Sequence, residues 1–146
     1  MRVLVHRSFE VSAPVATVWA GLARPAAWPS WAKHIKSVDM EPPGALTASS
    51  SGVVRLRNGV RSKFVVTQFV EGERWLWTGK FLWLRVDYDH VLAAVAPART
   101  RVTFDVAAGG LGVGSLGRLF GRIYAGSLDQ AIPNLIAELE AAAQGR

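Results

Sequence analysis

What most constrains this chain is an imbalance between its segments. Ser115 to Ala143 is the one stretch that reads as a long helix, whereas Ser37 to Ala108 has the texture of strands broken by turns. So many strands make a sheet with an apolar face to cover, and only that helix is long enough to cover it. The expected architecture is α+β, of helix-grip type. A curved seven-stranded antiparallel sheet wraps around the long C-terminal helix, with two short helices after strand 1. The 146 residues make one domain, 1–146, and are too few for two.

Arg2 to Val11 reads as the first strand, with Val3, Val5, Phe9 and Val11 on one face. Ser12 is a candidate helix cap. Pro14 suits a first turn, where its missing N–H is harmless, and Val15, Val18, Trp19 and Leu22 follow at helical spacing. Pro25 ends that helix, and a second short one is expected over Ala26 to His34, carrying Trp28 and Trp31. Strands are then expected at Val53–Arg57, Arg61–Val70, Arg74–Lys80, Val86–Ala96 and Thr100–Ala108. Asn58-Gly59, Glu71-Gly72 and Pro97-Ala98-Arg99 supply turns between them.

Register decides what faces inward. A three-residue loop at Asn58-Gly59 pairs Arg57 with Arg61 and Arg55 with Lys63, and it gathers Val54, Leu56, Phe64 and Val66 on the opposite face. Carried through Glu71-Gly72, that register sets Gln68 opposite Trp75 and Val66 opposite Trp77. The candidate ligand-binding wall is then Phe64, Val66, Gln68, Trp75, Trp77 and Phe81, joined by Phe104. On the covering helix, Gly117, Gly121 and Tyr124 would face it. Core filling alone explains the aromatics equally well. The glycines could mark close backbone packing instead of room for a ligand.

Tyr88 and His90 share a strand face, and they are the candidates for polar contact or proton transfer in an apolar pocket. The alternative phase turns Asp87 and Asp89 inward, which buries two unpaired carboxylates at high cost. His6, His34 and His90 lack metal-ligand spacing, and there is no cysteine. No metal and no cofactor is expected. Gly112 to Gly117 matches GxGxxG, but the 29 residues after it read as one helix and cannot supply the second strand of a dinucleotide fold. Pro133 removes a hydrogen bond to Asp129 within the long helix, so a bend is expected there.

Composition narrows the function classes. About 58% of residues are apolar if glycine is counted and tyrosine is not, against ~45–50% for ordinary domains. The longest apolar run, Val91 to Pro97, is far short of the ~20 residues of a membrane helix. The apolar surplus therefore points to an internal cavity or to an oligomer interface such as a homodimer. No signal-peptide pattern opens the chain, so the cytoplasm is the expected compartment. The net charge of +6 raises nucleic acid as a partner. Arg55, Arg57, Arg61 and Lys63 fall on one outward hairpin face without interleaved aromatics. A solvated face fits better than a nucleic-acid site, and no nucleic-acid partner is expected.

Phe9 to Trp19 (FEVSAPVATVW), Trp28 to Trp31 (WPSW), Thr100-Arg101-Val102-Thr103 and Gly114 to Glu140 with its PNLIAELE end follow one another in this order. Together they resemble the START-like (SRPBCC) superfamily, and within it the polyketide cyclase/dehydrase-like proteins. The resemblance implies a helix-grip fold with a hydrophobic ligand (lipid, polyketide or other aromatic) held between sheet and helix. It implies no catalytic residue, because the matching motifs are structural. The leading expectation is a binding protein for a small hydrophobic molecule. The alternatives are a cyclase/aromatase-type enzyme using His90 or Tyr88, and a basic interaction protein using the hairpin at 55–63.

Overall fold

A computed structural model describes residues 1–145. Its elements are β1 (Arg2–Val11), α1 (Val15–Leu22), a 3-10 segment (Pro25–Ser30), β2 (Ile35–Glu41), β3 (Ser51–Leu56), β4 (Arg61–Val70), β5 (Arg74–Phe81), β6 (Leu84–Ala96), β7 (Arg99–Gly109), a π-helical turn (Val113–Gly117) and α2 (Arg118–Ala143). All seven strands form one antiparallel sheet in the order β1-β7-β6-β5-β4-β3-β2. α2 packs against β1 and α1, so the sheet grips the helix as its segment lengths require. Val86, Leu92, Val102, Phe104 and Val106 of the central strands are buried with Leu128, Leu135 and Leu139 of α2.

The helix starts differ from the sequence reading. Pro14, not Ser12, occupies the N-cap of α1, and no side chain caps it. The backbone N–H of Ser12 instead donates to Glu140 at 2.8 Å, which ties the α1 entrance to α2. Pro25 opens the next helical segment as well as closing α1, and that segment is a 3-10 turn ending at Ser30. Pro29 lies inside it and removes one N–H from any continuing α-helical ladder. α2 starts at Arg118, after the π-helical turn, and its helical run is unbroken through Pro133.

Three local shifts move side chains between faces. A bulge between Val3 and Val5 turns Val3 out to solvent and Leu4 toward α2. The β3–β4 hairpin pairs Arg55 with Arg61 and Val53 with Lys63, two residues away from the expected pairing. An even slip preserves the faces, so Phe64 and Val66 stay inside. Val66 pairs with Trp77 as expected, but the register breaks at Thr67, and Phe69, not Gln68, lies opposite Trp75. The extra residue reverses the alternation, so Gln68 is exposed. On β6, Val86, His90 and Leu92 are buried, and the inward phase is that of Tyr88 and His90.

The β5–β6 turn carries the one positive-φ residue other than glycine among the described residues. Leu82 has φ 56°, in the left-handed region that favours glycine. Such a conformation costs of order 1–3 kcal/mol in a non-glycine residue.

Candidate functional site

The space between sheet and helix is mostly filled by aromatic rings. The indole of Trp75 stacks on His90 with ring centroids 4.1 Å apart and planes at 9°. Trp77 stacks on Phe64 at 3.9 Å. Trp28, from the 3-10 segment, lies over this layer, 5.3 Å from Trp77 and 6.2 Å from His90. Its Nε1 donates to the Leu22 carbonyl at 3.0 Å, which fixes the ring's orientation. A cavity of about 40 Å³ remains, bounded by Trp31, His34 and Ile35 on one side, by His90 and Phe104 beneath, and by Tyr124, Leu128 and Ala131 of α2. That volume accommodates a few waters at most, whereas drug-sized ligands occupy roughly 300–1,000 Å³. The roomy gap expected from sequence is closed, because tryptophans fill the space that a valine-and-leucine sheet face would leave.

The polar groups at this cavity are all neutral. Burial pulls His90 down to about 4, against smaller opposing effects from the Trp75 carbonyl and Asp89. Its Nδ1 lies 3.3 Å from the Trp75 carbonyl. A carbonyl can only accept, so Nδ1 carries the proton and Nε2 is the acceptor nitrogen. Burial also lowers His34. It pushes Tyr124 up to about 12. Tyr88 is raised as well, first by burial and then by Tyr124, with Ser62 acting the other way. Its ring lies 5.6 Å from that of Tyr124.

Of the expected wall, His90, Phe104 and Tyr124 line the cavity. Trp75, Trp77, Phe64 and Val66 form the buried layer beside it. Phe81 lies elsewhere, 4.8 Å from Phe120 at the start of α2. Gln68 leaves the site altogether. Gly117 and Gly121 also leave it: a Cβ on Gly121 would meet the Leu4 Cβ at 3.1 Å and the Leu4 carbonyl at 3.3 Å, and one on Gly117 would meet Leu4 at 3.3 Å. These glycines let the helix approach β1 and open no room for a ligand. Trp28, Trp31, His34, Leu128 and Ala131 were missed as lining residues. Of these, only Trp28 and Trp31 stand in a motif visible in the sequence, WPSW, which marks the fold.

The basic hairpin face is partly committed to the protein itself. Arg55 pairs with Asp39 at 2.7 Å, and Arg57 donates to the Lys33 carbonyl at 2.7 Å. Arg61 and Lys63 join Lys80 and Arg85 around a shallow depression of about 840 Å³ on the outer sheet face. Its floor is Val53, Val65, Thr67 and Thr78; Phe64 borders it but is buried and stacked on Trp77, so it offers no face on which a base could stack.

Residues 2–140 match the family described as polyketide cyclase/dehydrase and lipid transport. The chain belongs to this family. No curated protein sequence matches it. Among solved structures, a hypothetical protein from Helicobacter pylori is 14% identical with a TM-score of 0.76, over 91% of this chain and 85% of that one. A START superfamily protein from Mycobacterium smegmatis is 14% identical with a TM-score of 0.65, over 97% of both chains. DynU16, from the dynemicin biosynthetic locus, is 22% identical with a TM-score of 0.68, over 97% of this chain and 49% of its own length. The chain therefore spans about half of DynU16. At these identities the likeness is one of fold, and that fold is START-like. No helix among the described residues is long and apolar enough to cross a membrane.

Proposed function

We propose that this polyketide cyclase/dehydrase and lipid transport family member binds a small hydrophobic molecule, aromatic or lipidic, in an enlarged form of the cavity under α2. The observation that carries this reading is the lining itself: apolar and aromatic side chains around three neutral polar groups, His34, His90 and Tyr124. Such a surface desolvates an apolar ligand cheaply and offers acceptors, His90 Nε2 among them, to orient a hydroxyl. Enlargement would come from the α2 segment carrying Tyr124 and Leu128. A cyclase-type role for His90 needs a base titrating near the working pH, and a histidine held near 4 is a poor one. Tyr88, the other candidate, does not line the cavity. The compartment in this reading is the cytoplasm.

The test is to titrate fatty acids, flavonoids and polycyclic aromatics while following tryptophan emission. Trp28 and Trp31 line the cavity, so saturable quenching by at least one class is expected, weakened in Tyr124→Ala. Absence of any response across the panel would remove this reading and leave the fold intact.

A further inference from the structure

The end of the molecule formed by the β5–β6 turn, the β7–α2 connection and the start of α2 has no role in the pocket. Among the described residues, eleven large hydrophobic side chains stand exposed, and six of them lie on or against these elements. Leu82 and Trp83 form the β5–β6 turn, and Leu111 protrudes from the neighbouring connection at 88% exposure. The two loops are joined, because Trp83 Nε1 donates to the Leu111 carbonyl at 2.7 Å. Leu119 and Ile123, one helical turn apart, extend the patch along α2 beside Phe120, which packs on Phe81. Met1, over Gly109, completes it.

Two observations argue against an accidental surface. Leu82 occupies a left-handed position where glycine would be relaxed, so the turn holds an exposed leucine against a conformational penalty. The charges around the patch are also one-sided: Arg2, Lys80, Arg118 and Arg122 border it, and residues 107–128 contain no acidic side chain. Asp87 is the nearest carboxylate in the turn's strands, and it is already bonded to Thr78 and Arg85.

From this apolar tip with its cationic collar, we infer that the protein docks reversibly on an anionic lipid surface. Tryptophan and leucine enter the headgroup boundary, and the arginines and lysine meet lipid phosphates. A second copy of the chain is the weaker occupant, since a two-fold contact through this patch would set Arg118 and Arg122 against their own counterparts. The docking is independent of the pocket reading and needs no bound ligand.

The experiment is co-sedimentation with phosphatidylcholine vesicles, with and without phosphatidylglycerol, at low and high salt. Binding is expected with the anionic vesicles only, and salt should weaken it. Leu82→Gly with Leu111→Ser should lower partitioning at least about tenfold. Both positions are exposed and the glycine relieves the turn, so folding is retained, as circular dichroism would check. Arg118→Gln with Arg122→Gln should reduce both the binding and its salt dependence. The inference is overturned if anionic vesicles fail to sediment the protein at low salt, or if the double leucine variant binds as well as the parent. It is equally overturned if ultracentrifugation shows a dimer that Leu111→Ser dissolves. A docking variant that keeps its ligand-induced quenching separates failure here from failure of the pocket reading.

Discussion

The two halves of α2 are held in different ways. From Asp129 onward the helix is pinned by polar contacts to three separate elements. Asp129 accepts from Arg7 at 2.6 and 3.1 Å, Asn134 donates to the Trp31 carbonyl at 3.3 Å, Glu138 accepts from Ser30 at 2.8 Å, and Glu140 accepts from the Ser12 N–H. Leu135 and Leu139 are buried beneath these pins, with Leu139 filling the place of a side chain at Gly21. Arg118 to Leu128 has no side-chain hydrogen bond among the described residues, and it rests on glycine contacts with Leu4 and on aromatic rings. Directional bonds fix a helix in register, whereas ring and glycine contacts leave it free to slide or tilt at low cost. The second half is thus an anchor fixed by directional bonds, and the first a cover over His90 held by packing alone.

The contrast is broken most directly by truncation. Leu135→Ala should destabilise the protein by about 2–5 kcal/mol in chemical denaturation, because it opens a cavity in the anchored half. Leu119→Ala, on the exposed side of the cover, should change stability by less than about 0.5 kcal/mol. Comparable losses at both sites would mean that the halves are equally fixed.

Acid sharpens the contrast, because His90 lies beneath the cover. Its folded value of about 4 is below the ordinary 6.5, so the unfolded chain takes up the proton first as pH falls. The associated stability is complete above about pH 6.5 and disappears between there and about pH 4, a loss of about 3 kcal/mol. His90→Phe should flatten this limb in denaturation measured across the range. A shallow limb in the parent protein would instead show that water already reaches His90 beneath the cover.

Effects of intermediate size come from two glycines on the same helix. Gly121→Ala forces a methyl group against Leu4 and should cost about 1–3 kcal/mol, less what the helix gains. Gly126 has nothing within 4 Å of the added atom, so Gly126→Ala should stabilise by roughly 0.5–1 kcal/mol. Thermal melts of the pair should move in opposite directions.

The legible part of this protein follows from local rules. Alternation and turn residues placed six of the seven strands, all but β2, while one long segment dictated the grip and the cost of burying Asp87 and Asp89 put His90 inside. Three outcomes depended on tertiary structure. The bulge at Thr67 exchanged Phe69 for Gln68, since a single extra residue reverses every side chain beyond it and leaves no mark in composition. The close approach of Leu4 to Gly121 turned a stripe of small residues from space into contact. Whether the tryptophans left a cavity or filled it depended on how Trp28, from a separate 3-10 segment, met Trp77 and His90 across the sheet. Such packing is a relation between residues distant in sequence, and no pattern along the chain specifies it.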